Sequence, residues 1–339
     1  MALDLKKITR SHEWWDHKTP QILSLAYATA ILTHASLFHL LYPGVVMIFL
    51  SLIAIAIYAS IINDFTDMEI DLACGKSNIM QRMHPVMRVG FILVSLGLVI
   101  FSAFCIYPDI YAVTFYLLIA ISISVYSFPP FRLKKRGVWG VLSCAAAEHL
   151  FPTLFAVAVM FNYSGSAINW LWLIAAGILS YMYGMRSILW HQFLDRDNDQ
   201  QSGISTYASQ VNPLTFKSKE KLIISIELLA FSIIVITLNL MIIYAAIVTY
   251  FLFIIARKRF FKSEVIIVIS PEKAHFQILM LDLYTVFFPL AILIYTSITQ
   301  AYGWCVLLIH VIMFYKTLIV TLTDTYHIFR NIVVRKILN

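Results

Sequence analysis

The run Asn63-Asp64-Phe65-Thr66-Asp67-Met68-Glu69-Ile70-Asp71 follows an apolar stretch and carries four carboxylates. Continued as helix, it sets Asp64, Asp67 and Asp71 at i, i+3 and i+7, on one stripe. Like charges on a stripe repel unless a cation lies between them. An all-oxygen set suits a hard ion such as Mg2+, which keeps several waters and is often shared with a substrate phosphate. A second acidic run, Asp195-Arg196-Asp197-Asn198-Asp199, repeats the theme. Asp67-x-x-x-Asp71-x-x-x-Gly75 and Asp195-x-x-x-Asp199-x-x-x-Gly203 share one spacing, and each glycine suits the left-handed residue that ends a helix. For one such run the bland alternative is a solvated acidic loop between two helices. Two, each following an apolar span, favour a paired metal site that holds a diphosphate.

Basic residues supply the complement. Lys76, Arg82, Arg132, Lys134 and Arg196 fall in the same set of loops. Arg grips phosphate oxygens bidentately and Lys acts as a point charge, although ordinary positive-inside residues account for part of the set. Pro129-Pro130 stiffens the loop that presents Arg132 and Lys134. Within the apolar runs stand Glu148, His149, Glu227, His34, His39, His310 and Lys316, each costly in a bilayer and so a functional candidate. Glu148 and His149 are expected to face a cavity below the acidic loops. His149 is either a proton acceptor or a hydrogen-bonded core residue, with the structural reading preferred. His191 opens the second acidic run as a further cavity candidate.

These residues need a scaffold, and composition names it. Of 339 residues, 60% are hydrophobic and 13% charged, with mean hydropathy +0.82; a soluble domain has about a quarter charged. Repeated apolar runs predict an all-α, polytopic bundle of about nine or ten transmembrane helices around a central cavity, in two pseudo-repeated halves. Spans are predicted near 21–42, 44–62, 86–106, 110–128, 138–161, 168–190, a pair within 221–256 turning near Leu238-Asn239, 281–299 and 304–322. Residues 1–20 read as an interfacial segment anchored by Trp14 and Trp15, 21–323 as a single bundle, and 324–339 as a tail. The net charge of +7 fits the positive-inside effect and gives no reason to expect nucleic acid. The loops near 43, 108, 164, 239 and 302 contain no Lys or Arg, while alternate loops do. That alternation puts the acidic loops in the cytoplasm, with a bacterial inner membrane as the expected setting. Four scattered cysteines without a CxxC pair are read as small core residues.

Three motifs over residues 63–206 resemble those of the UbiA superfamily of intramembrane prenyltransferases: Asn63-Asp64-x-x-Asp67-x-x-x-Asp71, Tyr126-Ser127-Phe128-Pro129-Pro130-Phe131-Arg132-Leu133-Lys134 and Asp195-x-x-x-Asp199-x-x-x-Gly203-x-x-Thr206. The resemblance implies an isoprenyl diphosphate substrate bridged by Mg2+ to the aspartates. By it, Asn63, Asp64, Asp67 and Asp71 serve one metal, Asp195 and Asp199 the other. It also implies that Tyr126, Arg132 and Lys134, with Lys76 or Arg82, hold the diphosphate; Glu148, His149 and His191 are cavity candidates read from the residues alone, and nothing in the chain identifies the acceptor. Where the family often has Arg-Pro after the first motif, this chain reads Lys76-Ser77-Asn78-Ile79-Met80. The rival chemistry on the same scaffold is a terpene cyclase, whose own double bond replaces the acceptor. A cation-coupled transporter fits less well, because these carboxylates stand at span ends and not near the bilayer midplane.

Overall fold

The computed structural model describes residues 14–73, 75, 78–201, 205–271 and 275–338. Seven described helices are long and apolar enough to cross a membrane: α2 (Leu37–Ala73), α3 (Pro85–Ile106), α4 (Ile110–Ser127), α5 (Val138–Tyr163), α6 (Trp170–Leu194), α9 (Pro213–Leu238) and α10 (Met241–Phe261). The shorter apolar helices α1 (Thr19–Leu32) and α11 (Leu283–Thr299) join them. A pair bent by 84°, α12 (Gly303–Met313) and α13 (Tyr315–Leu338), completes the bundle, in keeping with the expected nine or ten segments. Between α6 and α9 lie two short helices, α7 (Arg196–Gln201) and α8 (Tyr207–Gln210). Two three-residue parallel strands, β1 (Glu264–Ile266) and β2 (Phe276–Ile278), follow α10.

Local chemistry sets most boundaries. Asp109 caps α4 through the Ala112 amide, and Asn169 caps α6 through that of Trp172, both at 3.1 Å. His84 and Asn212 cap α3 and α9 ahead of Pro85 and Pro213 at the first helical position. Asn239 adopts the left-handed region (φ 46°) and makes the expected turn between α9 and α10. Two predicted spans differ. The first helix stops at Leu32, where His34 turns left-handed, and the last is broken at Phe314. Trp15 Nε1 donates to the Met313 carbonyl at 3.0 Å beside that break, supplying a partner where the helix ends.

The outer and inner faces are sharply distinguished. Along α3, Val86, Leu93, Val94, Phe101 and Phe104 are exposed, which a bilayer would cover. Inward, Trp172 donates to Thr29 at 2.9 Å and Gln21 to Ser180 at 2.7 Å, tying α1 to α6. Arg186 of α6 grips Glu227 of α9 with two bonds of 2.6 Å, and both side chains are almost fully buried. The same guanidinium donates to the carbonyls of Ile267 and Leu279, fastening the β1–β2 segment to the bundle. Removing one partner leaves a buried charge unmet, so Arg186→Met or Glu227→Gln alone should each cost about 3–5 kcal/mol, whereas Arg186→Met with Glu227→Met together should cost less than either. Thermal unfolding of the three variants in detergent measures the order.

Candidate active site

Helix α2 runs unbroken from Val46 through the acidic motif to Ala73, and Gly75 follows at φ +67°. Asp64 and Asp71 therefore share a face, while Asn63 and Asp67 lie one step around. Asp64 is buried. Asn78 Nδ2 donates to both the Asp64 carbonyl and Asp71 Oδ2 at 2.8 Å, clipping the loop back on the helix. On the adjacent face the basic loop arrives. Lys134 Nζ sits 2.6 Å from Asp67 Oδ1, 3.0 Å from Thr66 Oγ1 and 3.3 Å from Asn63 Oδ1. Arg132 Nη2 donates to the Thr66 carbonyl at 2.7 Å and lies 3.4 Å from Asp67 Oδ1. Burial pulls the Lys134 ammonium below the ordinary lysine range, and the Asp67 carboxylate opposes that pull. The loop also folds tightly on the start of α5, where Gly140 has no side chain: a Cβ there would meet the Leu133 carbonyl at 2.9 Å.

The second acidic motif does not extend α6. Asp195 terminates that helix, and the Asp199 amide bonds back to the Asp195 carbonyl at 2.9 Å, so the two carboxylates keep their one-turn spacing into α7. Asp199 Oδ2 accepts from Thr206 Oγ1 at 3.0 Å. Thr206 also forms a parallel backbone bridge with Gly137, directly after the basic loop. The loop 129–137 thus touches both acidic motifs, its cations on Asp67 and its end on Thr206. His191 is exposed and lies against Trp190, with ring centroids 4.5 Å apart. Arg82 is exposed on the short turn Ile79–Arg82. Lys76 and Gly203 lie outside the described residues.

Below Asn63 a cavity of about 280 Å3 opens between α1, α2, α4 and α5. Leu52, Ile55, Ile119 and Ile123 form apolar walls, and Ala56 and Ala59 leave room between them. Ser60, Asn63, Tyr126 and Ser127 lie toward the acidic motif. At Ala146–Leu150 helix α5 widens into a π turn, two residues ahead of Pro152, whose missing N–H breaks the regular ladder. That turn separates two neighbours. Glu148 enters the cavity, where Lys18 Nζ meets its Oε2 at 2.6 Å. His149 is turned away and does not line the cavity; it packs against Tyr183 and Gly184, and a Cβ at Gly184 would come within 2.8 Å of its ring. Both ring nitrogens are buried without a hydrogen-bond partner among the described residues, so the expected hydrogen-bonded core histidine is packed but not bonded.

Two contributors escaped the sequence reading. Lys18 falls with the tryptophans in the expected interfacial segment, yet Trp14 and Lys18 line the cavity. Arg186 was passed over inside its apolar run; one unmatched arginine and one unmatched glutamate, Glu227, in separate spans were the available signal. Among the described residues no three His, Cys, Asp or Glu side chains converge on one point. Mg2+ needs only one or two protein carboxylates, the rest of its shell coming from water and substrate phosphates. The all-oxygen set Asn63, Asp64, Asp67, Asp71, Asp195 and Asp199 fits such an ion.

Comparison with known proteins adds the following. Residues 22–265 match the profile of the UbiA prenyltransferase family. The structure is similar to that of a UbiA homologue from Archaeoglobus fulgidus, with TM-score 0.54 and 16% identity over 89% of this chain and 98% of that one. A Cd2+-bound structure of a UbiA homologue from the same organism aligns with TM-score 0.55 and 18% identity, covering 87% and 99%. No curated protein matches the chain at a significant level.

Asn78 is the clip that fixes the first acidic motif. Asn78→Ala should lower stability by about 1–3 kcal/mol and speed amide exchange over residues 64–80, because two acceptors lose their donor. Hydrogen–deuterium exchange read by mass spectrometry tests this.

Proposed function

The chain belongs to the UbiA prenyltransferase family, and on that premise we propose that it ionises an isoprenyl diphosphate and transfers the prenyl group to an acceptor. It is an integral, multi-pass membrane protein. The observation that carries the reading is the Asp67–Lys134–Arg132 cluster placed at Asn63, the residue from which an apolar cavity descends. Cations beside acidic helix ends suit a metal-bound diphosphate, and an apolar cavity of this kind suits a hydrocarbon chain.

When bound, Mg2+ supplies charge neutralisation on the leaving diphosphate. Asn63, Asp64, Asp67 and Asp71 would hold one ion and Asp195 and Asp199 another. Arg132 and Lys134 then bind diphosphate oxygens, leaving Asp67 for the metal, with Tyr126 at the cavity end of that site and Lys76 and Arg82 as further bases. The allylic C–O bond breaks as these groups take up the charge that develops on its oxygen. Leu52, Ile55, Ile119 and Ile123 hold the prenyl chain and exclude water from the reacting carbon. A cavity whose lining includes the Lys18–Glu148 pair favours a polar acceptor over the apolar lining a cyclase needs to shelter a migrating cation. The charge pattern of the loops supports a cytoplasmic position for the acidic motifs, in keeping with a bacterial inner membrane.

Purified protein given geranyl diphosphate should release diphosphate only with Mg2+, and a chelator should stop it. Asp67→Ala, Asp195→Ala and Lys134→Ala should each reduce release by about 100-fold or more. Full release by either Asp variant would sink the proposal, and cyclised hydrocarbon formed without acceptor would replace transfer by cyclisation.

A further inference from the structure

The ion pair inside the cavity is not among the residues assigned above to the diphosphate. Glu148 stands ten residues beyond Val138, about 15 Å along α5 at 1.5 Å per residue. A carboxylate at that depth is expensive unless it meets a counter-charge or water. It meets a counter-charge: Lys18 lies 2.6 Å away, while 41% of the Glu148 side chain and 21% of that of Lys18 remain exposed, and both face the cavity. The contrast with Arg186–Glu227, 1% and 0% exposed, is informative. That pair is sealed and uses both carboxylate oxygens on one guanidinium. The Lys18 contact engages only Oε2 of Glu148.

Two features orient the pair, and a third isolates it. The π turn at Ala146–Leu150 aims Glu148 inward while its neighbour His149 points away. Tyr183 donates to the His17 carbonyl at 3.4 Å, and Tyr183 stands near the middle of α6, so Lys18 is held at mid-bundle depth. Among the described residues that line the cavity, Lys18 and Glu148 carry the charge; the remainder are apolar or neutral polar. The middle of the cavity, close to Cys144 and Tyr126, therefore offers one charged base that faces a bound molecule.

We propose that Glu148 is the proton acceptor of the transfer step and that Lys18 positions it. The inference rests on the transferase reading above. In the step, the allylic C–O bond breaks and its electron pair leaves with the diphosphate. The acceptor's nucleophilic atom supplies the pair for the new bond to the allylic carbon, and the acceptor's surplus proton passes to Glu148. The acceptor is thus a protic molecule that presents its acidic hydrogen to Glu148 while its nucleophilic atom faces the allylic carbon. Lys18 keeps the carboxylate ionised before reaction and restricts its rotation.

The experiment uses full-length protein in native membrane vesicles, which retain the host's acceptors, with tritium-labelled geranyl diphosphate and Mg2+. Two readouts are taken: diphosphate released, and label incorporated into products other than the free prenyl alcohol. With Glu148→Gln, incorporation should fall about 100-fold or more, in the range that a positioned base contributes, while release falls far less and the alcohol accumulates. Glu148→Asp should recover part of the incorporation, and Lys18→Arg more of it than Lys18→Met. The exchanged pair, Lys18→Glu with Glu148→Lys, restores the ion pair and fold but leaves no carboxylate on α5, so it should release diphosphate without incorporation. Restored incorporation in the exchanged pair would overturn the proposal and make the contact structural. An unchanged ratio of incorporation to release in Glu148→Gln would overturn it too. Absence of Mg2+-dependent release from the wild type would instead overturn the transferase reading, and this is seen before any variant is compared.

Discussion

A charge inside a membrane-spanning bundle has to be met by an opposite charge or by water, and the arrangement of this molecule follows from how three such charges are met. Asp67 is met by Lys134 and Arg132 at a helix end, which brings the basic loop down onto the first acidic motif. Glu227 is met by Arg186 in a sealed bidentate pair that joins α6, α9 and the β1–β2 segment. Glu148 is met by Lys18 within a cavity, one carboxylate oxygen engaged and the side chain still accessible. The chemistry of each pair is the same; exposure separates a mechanical tie from sites open to a ligand.

Breaks in the helices place these groups. The π turn ahead of Pro152 puts Glu148 and His149 on different sides of α5. A second π turn, Leu283–Phe287, precedes Pro289 in the same way and begins α11. The stop after Leu194 lets Asp195 end α6 and sends Asp199 into a short helix whose partner, Thr206, touches the basic loop. Where a regular helix would have kept its direction, an irregular turn sets Glu148 in the cavity and brings Asp199 to Thr206.

The region after residue 265 lies beyond the family match. It is tied to the matched part: Arg257 of α10 bonds Asp282 and Asp324, its guanidinium stacks 4.2 Å from the Phe253 ring, and α13 is thereby held to α10. Glu220 accepts from the amides of Val268 and Ile269, which anchors the segment between α10 and α11 from the other side. These ties stabilise the half of the bundle that bears Arg186 and leave the cavity between α1, α2, α4 and α5 to the substrate.

Much was legible in the chain alone. Apolar length settled the class, because runs of about 20 apolar residues match a membrane-spanning helix, which satisfies its own backbone in hydrocarbon, and not the shorter strands of a barrel. Asp and Gly spacing exposed the two acidic motifs, and Asn239 marked a turn, since these are local consequences of helix geometry. Pairings were not legible. Lys18 read as an interfacial residue because the sequence shows only its neighbours, Trp14 and Trp15, and not Glu148, 130 positions away. His149 read as equivalent to Glu148 because a regular helix was assumed, and the π turn that parts them arises from packing around Pro152. Arg186 was hidden in an apolar run until α9 brought Glu227 against it. The sequence determined which charges exist and which ends of which helices carry them. Only the tertiary structure decided which charge meets which, because burial makes an unpaired charge costly and so lets packing between distant helices choose the partner.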